Sequence, residues 1–401
     1  MKQLNYIDLF SGCGGLSLGL HNADWRGLFA IEKNDFAFQT LKHNLIDNKN
    51  HFNWVDWLAV KEHDINAVLD THREDLEKLK GKVTLIAGGP PCQGFSMAGQ
   101  RNEGDIRNQL VYSYINFIDI IRPKILLLEN VRGFTYSFKT GDKLSIPYSK
   151  IVLDRLKEFG YDVHGEVIDF AEFGVPQRRN RFIMVGVHKD LNKLAMTFFD
   201  FLKDSKAAFL KEKGLLAVNS VEDAISDLLQ ANGQTVCPDS KTFNSAYLGK
   251  CTTKLQKYLR NGHSTEGEIP NSHRFAKHGA DVTDLFTRLL HIAPRGKRID
   301  GKNREQYQIK RRGITVLDKS VNAPTLTSNP DDYLHYSEPR ILTVREYARI
   351  QTFPDWFEFK GKYTTGGEFR KIDVPRYTQI GNAIPPLFGE LAGDILKKMI
   401  K

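Results

Sequence analysis

The chain has 401 residues, 41% of them hydrophobic, with four scattered cysteines and no CxxC pair, which allows one large core and a smaller second one and excludes a disulfide framework. No stretch approaches the roughly 20 apolar residues of a membrane span, and the opening MKQLNYIDLF leads into a strand pattern rather than a signal-peptide core, so a soluble, cytoplasmic protein is expected. The net charge of +9 is uneven: residues 189–320 hold 23 Lys and Arg against 15 Asp and Glu, whereas residues 1–188 balance at 23 and 23 and residues 321–401 carry 11 against 10, so a polyanion such as nucleic acid is the expected partner of the middle block.

From the N-terminus, short apolar runs alternate with amphipathic stretches. Tyr6 to Phe10 is followed by a glycine-rich turn, Leu28 to Glu32 by a helical pattern around Phe36 to Leu45, the rhythm of βαβ units. Further runs at Val83–Ala87, Ile125–Leu128 and Phe182–Val187 lack polar alternation, as strands buried on both faces do. The spacing predicts an α/β fold with a doubly wound, mostly parallel sheet over residues 1–188. After His188 the rhythm gives way to a polar, basic region with turn pairs such as Asn261-Gly262, read as a second, smaller domain over 189–320. Order returns over 321–401, with a helix at Thr343 to Thr352 stopped by Pro354 and a last helix after Pro385-Pro386.

The first strand ends in Phe10-Ser11-Gly12-Cys13-Gly14-Gly15, a turn that lets a ligand approach the backbone at the top of the sheet. It lacks the third glycine of a dinucleotide fingerprint, since Ser17 stands there. Glu32, closing the second run, sits where a carboxylate accepts ribose hydroxyls. The third run leads into Gly88-Gly89-Pro90-Pro91-Cys92-Gln93-Gly94-Phe95-Ser96, a rigid segment presenting one thiol at the carboxyl edge of the sheet. Among such neighbours Cys92 reads as a nucleophile rather than a packed residue. The next run ends in Glu129-Asn130-Val131, bringing a carboxylate to the same edge, where it could carry a proton. Gln177-Arg178-Arg179-Asn180-Arg181 then supplies guanidinium groups suited to a phosphate or a carboxylate.

These elements, together with Arg340-Ile341-Leu342-Thr343-Val344-Arg345-Glu346 and Gln379-Ile380-Gly381-Asn382-Ala383, resemble in order and spacing the motifs of the C5-cytosine DNA methyltransferase family. The basic middle block corresponds by position to the family's variable target-recognition region. The resemblance implies S-adenosyl-L-methionine as cofactor and a Rossmann-like methyltransferase fold. It implies that Cys92 attacks C6 of a cytosine flipped out of double-stranded DNA, that Glu129 engages N3 and the exocyclic amine, and that Arg179 and Arg181 orient the flipped nucleotide. The cofactor would be held by Phe10, Gly12, Gly14, Glu32, Asp64, Ile65, Asp105, Leu110, Asn382 and Ala383. Asp64 follows His63 where the family usually has glycine.

The same matching implies that Thr325 contacts the DNA backbone and that Gln93 and Ser96 lie against the DNA. The densest cationic runs, Arg295, Lys297, Arg298, Lys310, Arg311 and Arg312, are the candidates for phosphate and base contacts. The helix after Pro386 is expected beside the first helix. Cys13, Cys237 and Cys251 read as structural and no metal site is expected. A monomer in action and a prokaryotic modification-type enzyme are implied. Alternatives are a tRNA cytosine-5 methyltransferase and a catalytically silent nucleic-acid-binding relative; a nucleotide-dependent oxidoreductase gives no reason for the Pro-Pro-Cys loop.

Overall fold

The computed structural model describes residues 4–91, 109–137, 139–140, 143–310, 313–365, 369 and 373–400. Two compact units divide the chain: Met1–Asp169 with Asn180–Lys206 and Phe388–Lys401, and Phe170–Arg179 with Ala207–Leu387. Residues 321–387 therefore pack within the second unit, and the chain rejoins the first only from Phe388. Among the described residues no helix is long and apolar enough to cross a membrane.

The first unit is built on β1 (Asn5–Leu9), α1 (Gly15–Asn22), β2 (Arg26–Ile31), α2 (Ile65–Thr71), β3 (Leu85–Gly88), α3 (Gln109–Ile121), β4 (Ile125–Val131), α4 (Tyr148–Glu158), β5 (Tyr161–Asp169) and β6 (Asn180–His188). The sheet order is β2-β1-β3-β4-β6-β5. The first four strands are parallel to their neighbours, while β6 runs antiparallel to both β4 and β5. Both faces of the central strands are covered, so Ile7, Leu9, Phe29, Ile86, Leu126 and Leu128 are fully buried along with the inner faces of α2 and α3. β5 is an edge strand that the apolar pattern does not reveal. Its residues are mostly half-exposed, with Val167 turned to solvent, so it carries no continuous apolar run.

Parallel alignment brings the ends of β1, β2, β3 and β4 to one edge of the sheet. The N-terminal end of β6 meets the same edge, because Val131 pairs with Arg181 and Glu129 with Ile183.

The C-terminal helix (Pro386–Ile400) lies against α1. The approach is backbone to backbone: a Cβ placed on Gly19 would sit 2.5 Å from the Gly389 carbonyl carbon and 2.6 Å from the Glu390 nitrogen. Gly393 lies equally close to Ala23, and the Trp25 indole donates to its carbonyl at 3.0 Å. The end of the chain is thus part of the wall behind the first turn of the sheet.

The second unit holds a smaller core of Phe286, Leu289, Ile299, Ile314, Val316 and Leu334. It joins α5 (Ala280–Ile292) to a three-stranded sheet in which β8 (Gly313–Val316) lies between β7 (Arg298–Asp300) and β9 (Tyr333–Leu334). Next come α6 (Val344–Ile350), which starts at a capping box between Thr343 and Glu346, and α7 (Arg376–Asn382).

The glycine contact gives a direct test. Gly19→Ala forces a methyl into backbone that has no room to rotate away, and the expected loss is about 1–3 kcal/mol. A urea titration should show a lower midpoint with an unchanged slope, whereas the open position Gly279, whose φ is ordinary, calibrates the effect of losing a glycine alone.

Candidate active site

Glu129 and Arg181 meet at the sheet edge, Arg181 Nε to Glu129 Oε1 at 2.8 Å, each side chain 13% exposed. The register explains the encounter. Arg181 is the diagonal neighbour of Glu129 across the β4–β6 pair, on the same face of the sheet. A hydrogen-bonded, largely desolvated ion pair of this kind is stronger than a surface one.

The segment leading to Cys92 is pinned beside this pair. Asn130 Nδ2 donates to the Pro90 carbonyl at 3.1 Å, and Gly89 N donates to the Leu9 carbonyl at 3.3 Å. A Cβ on Gly89 would fall 3.0 Å from Glu129 Oε2, so glycine is what lets the carboxylate lie against this backbone. Cys92, Gln93, Ser96 and Asp105 lie outside the described residues, but the chain up to Pro91 is placed against Glu129. Asn130 is a positioning residue that motif reading quotes without a task, and its burial at 2% exposure is the signal.

The glycine-rich turn and Glu32 are brought together. Gly12 N donates to Glu32 Oε2 at 3.0 Å and Asn34 N to Oε1 at 2.7 Å. Burial pushes the Glu32 carboxyl up, and the backbone donors at Asn34, Gly12 and Lys33 oppose it. Phe10, Gly12 and Gly14 all have positive φ, at 60°, 55° and 90°, which folds the loop back under its own amides. Three backbone donors do not exhaust the roughly four acceptor positions of a carboxylate, so the group can still accept from a ribose hydroxyl.

Two observations fit this loop to a nucleoside-bearing cofactor. A Cβ on Gly12 would meet nothing within 4 Å, so the backbone is open there, and the buried Ser11 Oγ has no hydrogen-bond partner among the described residues. Asp64 caps α2, its Oδ1 accepting from Asn66 N at 2.9 Å and its Oδ2 pairing with Lys33 at 2.7 Å. Ile65 and Leu110 pack on the core.

Other expected residues belong to the second unit. Arg179, 1% exposed, donates through Nη2 to the Gly381 carbonyl at 2.8 Å and through Nη1 toward the Leu326 carbonyl at 3.5 Å. It belongs to the second unit, Arg181 to the first. Asn382 and Ala383 end α7, with Asn382 exposed. Thr325 Oγ1 donates to the Arg178 carbonyl at 2.7 Å.

Arg295 caps the carbonyls of Leu290 and Tyr336. Lys297 and Lys310 are exposed. Arg298 is shared between Asp332 at 3.4 Å and Asp300 at 3.5 Å, and Arg311 and Arg312 are outside the described residues. Cys13 is buried, its thiol pushed up to about 12 by burial. Cys237 donates to Asp239 at 3.0 Å. Among the described residues no group of three His, Cys, Asp or Glu is arranged to hold a metal ion.

Beneath the turn runs a buried polar chain that apolar periodicity hides, because its members interrupt otherwise hydrophobic elements. Ser17 Oγ donates to Asp8 Oδ2 at 2.6 Å, Tyr6 OH to Ser17 at 2.9 Å, and His51 Nε2 lies 2.8 Å from Tyr6 OH. His21 and His51 approach through Nδ1 at 3.1 Å. One donor order from His21 inward to Asp8 satisfies every link. Burial, with the Glu32 charge adding to it and the Ser17 hydroxyl opposing, pushes the Asp8 carboxyl up to about 7.

The folded state therefore holds this proton more tightly than the unfolded chain does. Stability from the group is present below about pH 4 and is lost as pH rises through 7, on the order of 4 kcal/mol in all. Asp8→Asn should flatten the fall of melting temperature between pH 5 and 8, measured by calorimetry beside the parent; an unchanged slope would mean that Asp8 is ionised throughout.

The chain matches the C-5 cytosine-specific DNA methylase family over residues 4–401. It is 31% identical to the Type II methyltransferase M.DdeI of Desulfomicrobium norvegicum over 98% of this chain and 88% of that protein. It is also 31% identical to M.PspPI of Psychrobacter sp. over 100% and 80%. A solved candidate DNA modification methyltransferase encoded within a prophage (E. coli) shares the fold at a TM-score of 0.68 and 23% identity, covering 99% of each chain. With a nucleotide-type loop at the carboxyl edge of a mostly parallel sheet, and a carboxylate held beside the Gly89-Pro90 backbone, the chain belongs to the C5-cytosine DNA methyltransferase family and methylates cytosine in DNA at C5 with S-adenosylmethionine as donor.

Proposed function

We propose that the protein is a sequence-specific modification enzyme that uses Cys92 as nucleophile and Glu129 as the group that carries the proton at N3. The observation that carries this reading is the Glu129–Arg181 pair at 2.8 Å, set against Gly89 two residues before the Pro91-Cys92 step. Arg181 keeps the carboxyl aimed while it gives and takes a proton, and a site from which water is excluded strengthens each such contact.

The reaction must begin with the cytosine out of the stack, at a cost of a few kcal/mol. The Cys92 thiolate forms a bond to C6, and the electron pair displaced from the C5–C6 bond is stabilised by protonation at N3 from Glu129. Phe10, Gly12, Gly14 and Glu32 would hold S-adenosylmethionine, which when bound would supply the electrophilic methyl to C5 and leave as the neutral thioether S-adenosylhomocysteine. A base then removes the C5 proton, the C6–sulfur bond breaks to return the thiolate, and N3 gives its proton back to Glu129. Asp64, Ile65, Asp105, Leu110, Asn382 and Ala383 complete the cofactor contacts in this reading.

Residues 1–188 and 321–401 form the functional catalytic part, and residues 189–320 supply recognition, with Gln93, Ser96, Thr325 and the cations from Arg295 to Arg312 on the DNA. The enzyme works as a monomer, in the cytoplasm and without a metal. The 31% identity to Type II methyltransferases over nearly the whole chain supports action at one short sequence.

Conversion sequencing of DNA from a methylation-free bacterial host expressing the protein tests all of this together. The expected result is 5-methylcytosine at one short sequence, absent with Cys92→Ala and reduced at least about 100-fold in initial rate with Glu129→Gln. Methylation that survives Cys92→Ala would overturn the assignment of the nucleophile.

A further inference from the structure

Arg179, 1% exposed, joins two segments that the proposed function assigns to different ligands. Pro176–Arg179 and Ala323–Leu326 run side by side as a short parallel ribbon, with Gln177 paired to Ala323. Ala323 N donates to the Pro176 carbonyl at 3.0 Å and Arg178 N to the Ala323 carbonyl at 2.8 Å. Leu326 N donates to Gln177 Oε1 at 2.9 Å, and Thr325 Oγ1 to the Arg178 carbonyl at 2.7 Å. Across this ribbon the Arg179 guanidinium reaches the carbonyls of Leu326 and Gly381.

The segments also touch directly. A Cβ on Gly381 would lie 2.7 Å from the Thr327 oxygen and 3.0 Å from its carbon, so these backbones cannot shift independently. Gln351 Nε2 holds the Ile380 carbonyl at 2.9 Å from the other side. Thr325 is the neighbour of one Arg179 acceptor, and Asn382 the neighbour of the other.

We propose that Arg179 is a positioning residue that couples cofactor binding to DNA binding, by holding the Leu326 and Gly381 carbonyls on one planar guanidinium. The proposal rests on the reading that Thr325 meets the DNA backbone and Asn382 the cofactor. A guanidinium stays charged at every accessible pH and presents its donors in a fixed fork. Ordering either carbonyl therefore restricts where the other can lie, and coupling between two ligands is reciprocal by thermodynamic necessity. Lysine at this position would keep the charge but serve as a point donor, unable to fix both acceptors at once.

The test measures affinity for a duplex carrying the methylated sequence, by fluorescence anisotropy, with and without S-adenosylhomocysteine. For the parent enzyme the analogue should tighten DNA binding at least about fivefold, and DNA should tighten analogue binding by the same factor. Arg179→Lys should bring that factor to near one. An undiminished factor in the variant, or a factor of one in the parent, overturns the proposal.

Because the variant could lose its fold, hydrogen exchange on the parent enzyme supplies a second measurement. The analogue alone should slow exchange at residues 323–328, and DNA alone at residues 378–383; no change at either place overturns the coupling. Thr325→Ala and Asn382→Ala test the underlying assignment separately. If neither weakens its own ligand when bound alone, the reading of those two segments fails, whatever Arg179 does.

Discussion

A guanidinium removed from water keeps its charge and must find acceptors for its donors. Arg179, Arg345 and Arg349 are among the largest fully buried side chains of the molecule, and their partners hold the second unit together. Arg349 forks onto Asp355 at 2.8 and 2.7 Å and also reaches Asp227 on a segment 122 residues away. Arg345 is spent on the carbonyls of Asn271, Pro354 and Phe357. Arg340 forks onto Glu346 at 2.8 and 2.7 Å, the same carboxylate that caps α6. Removing one partner of such a pair costs about 3–5 kcal/mol, so donor geometry, more than the modest apolar core, keeps sequence-distant segments in register.

The first unit solves a different problem with carboxylates. Three of them stand near the same sheet edge in unlike surroundings, and environment separates their tasks. Glu32 is held by backbone amides, which shapes the loop that they belong to. Glu129 is held by a single guanidinium, which aims it without using up both oxygens. Asp8 is buried under the turn with a hydroxyl for company, and it pays for that place with a carboxyl pushed up to about 7. Only the second of these has both a charged partner and partial exposure, the combination that a proton carrier for a bound base requires.

Much of this was legible in the chain alone, for identifiable reasons. The central strands announce themselves because they are buried on both faces, and the motif residues because glycine, proline and cysteine in those orders serve few other purposes. β5 was not legible, since an edge strand with a half-exposed surface has no continuous apolar run. The Asp8 chain was hidden because each member looks like an isolated polar residue until the fold brings Tyr6, Ser17 and His51 together. The carbonyl contacts of Arg179 were hidden for a deeper reason: any residue type can supply a backbone carbonyl. Motif spacing carries side-chain identity and says nothing of where a distant carbonyl will lie.

The two arginines of the Gln-Arg-Arg-Asn-Arg run illustrate the point. The family resemblance groups Arg179 with Arg181 on one nucleotide. The strand β6 begins only at Asn180, however, and the Arg179 carbonyl accepts from Phe170 N at 3.1 Å, closing the excursion of residues 170–179 into the second unit. Arg181 meets its carboxylate through one nitrogen at 2.8 Å, a contact that a point charge could imitate in part. Arg179 must span two acceptors that belong to different segments, and only a planar fork does so. The chemical demand for arginine is therefore stricter at Arg179, which ties two backbone carbonyls, than at Arg181, which pairs with one carboxylate.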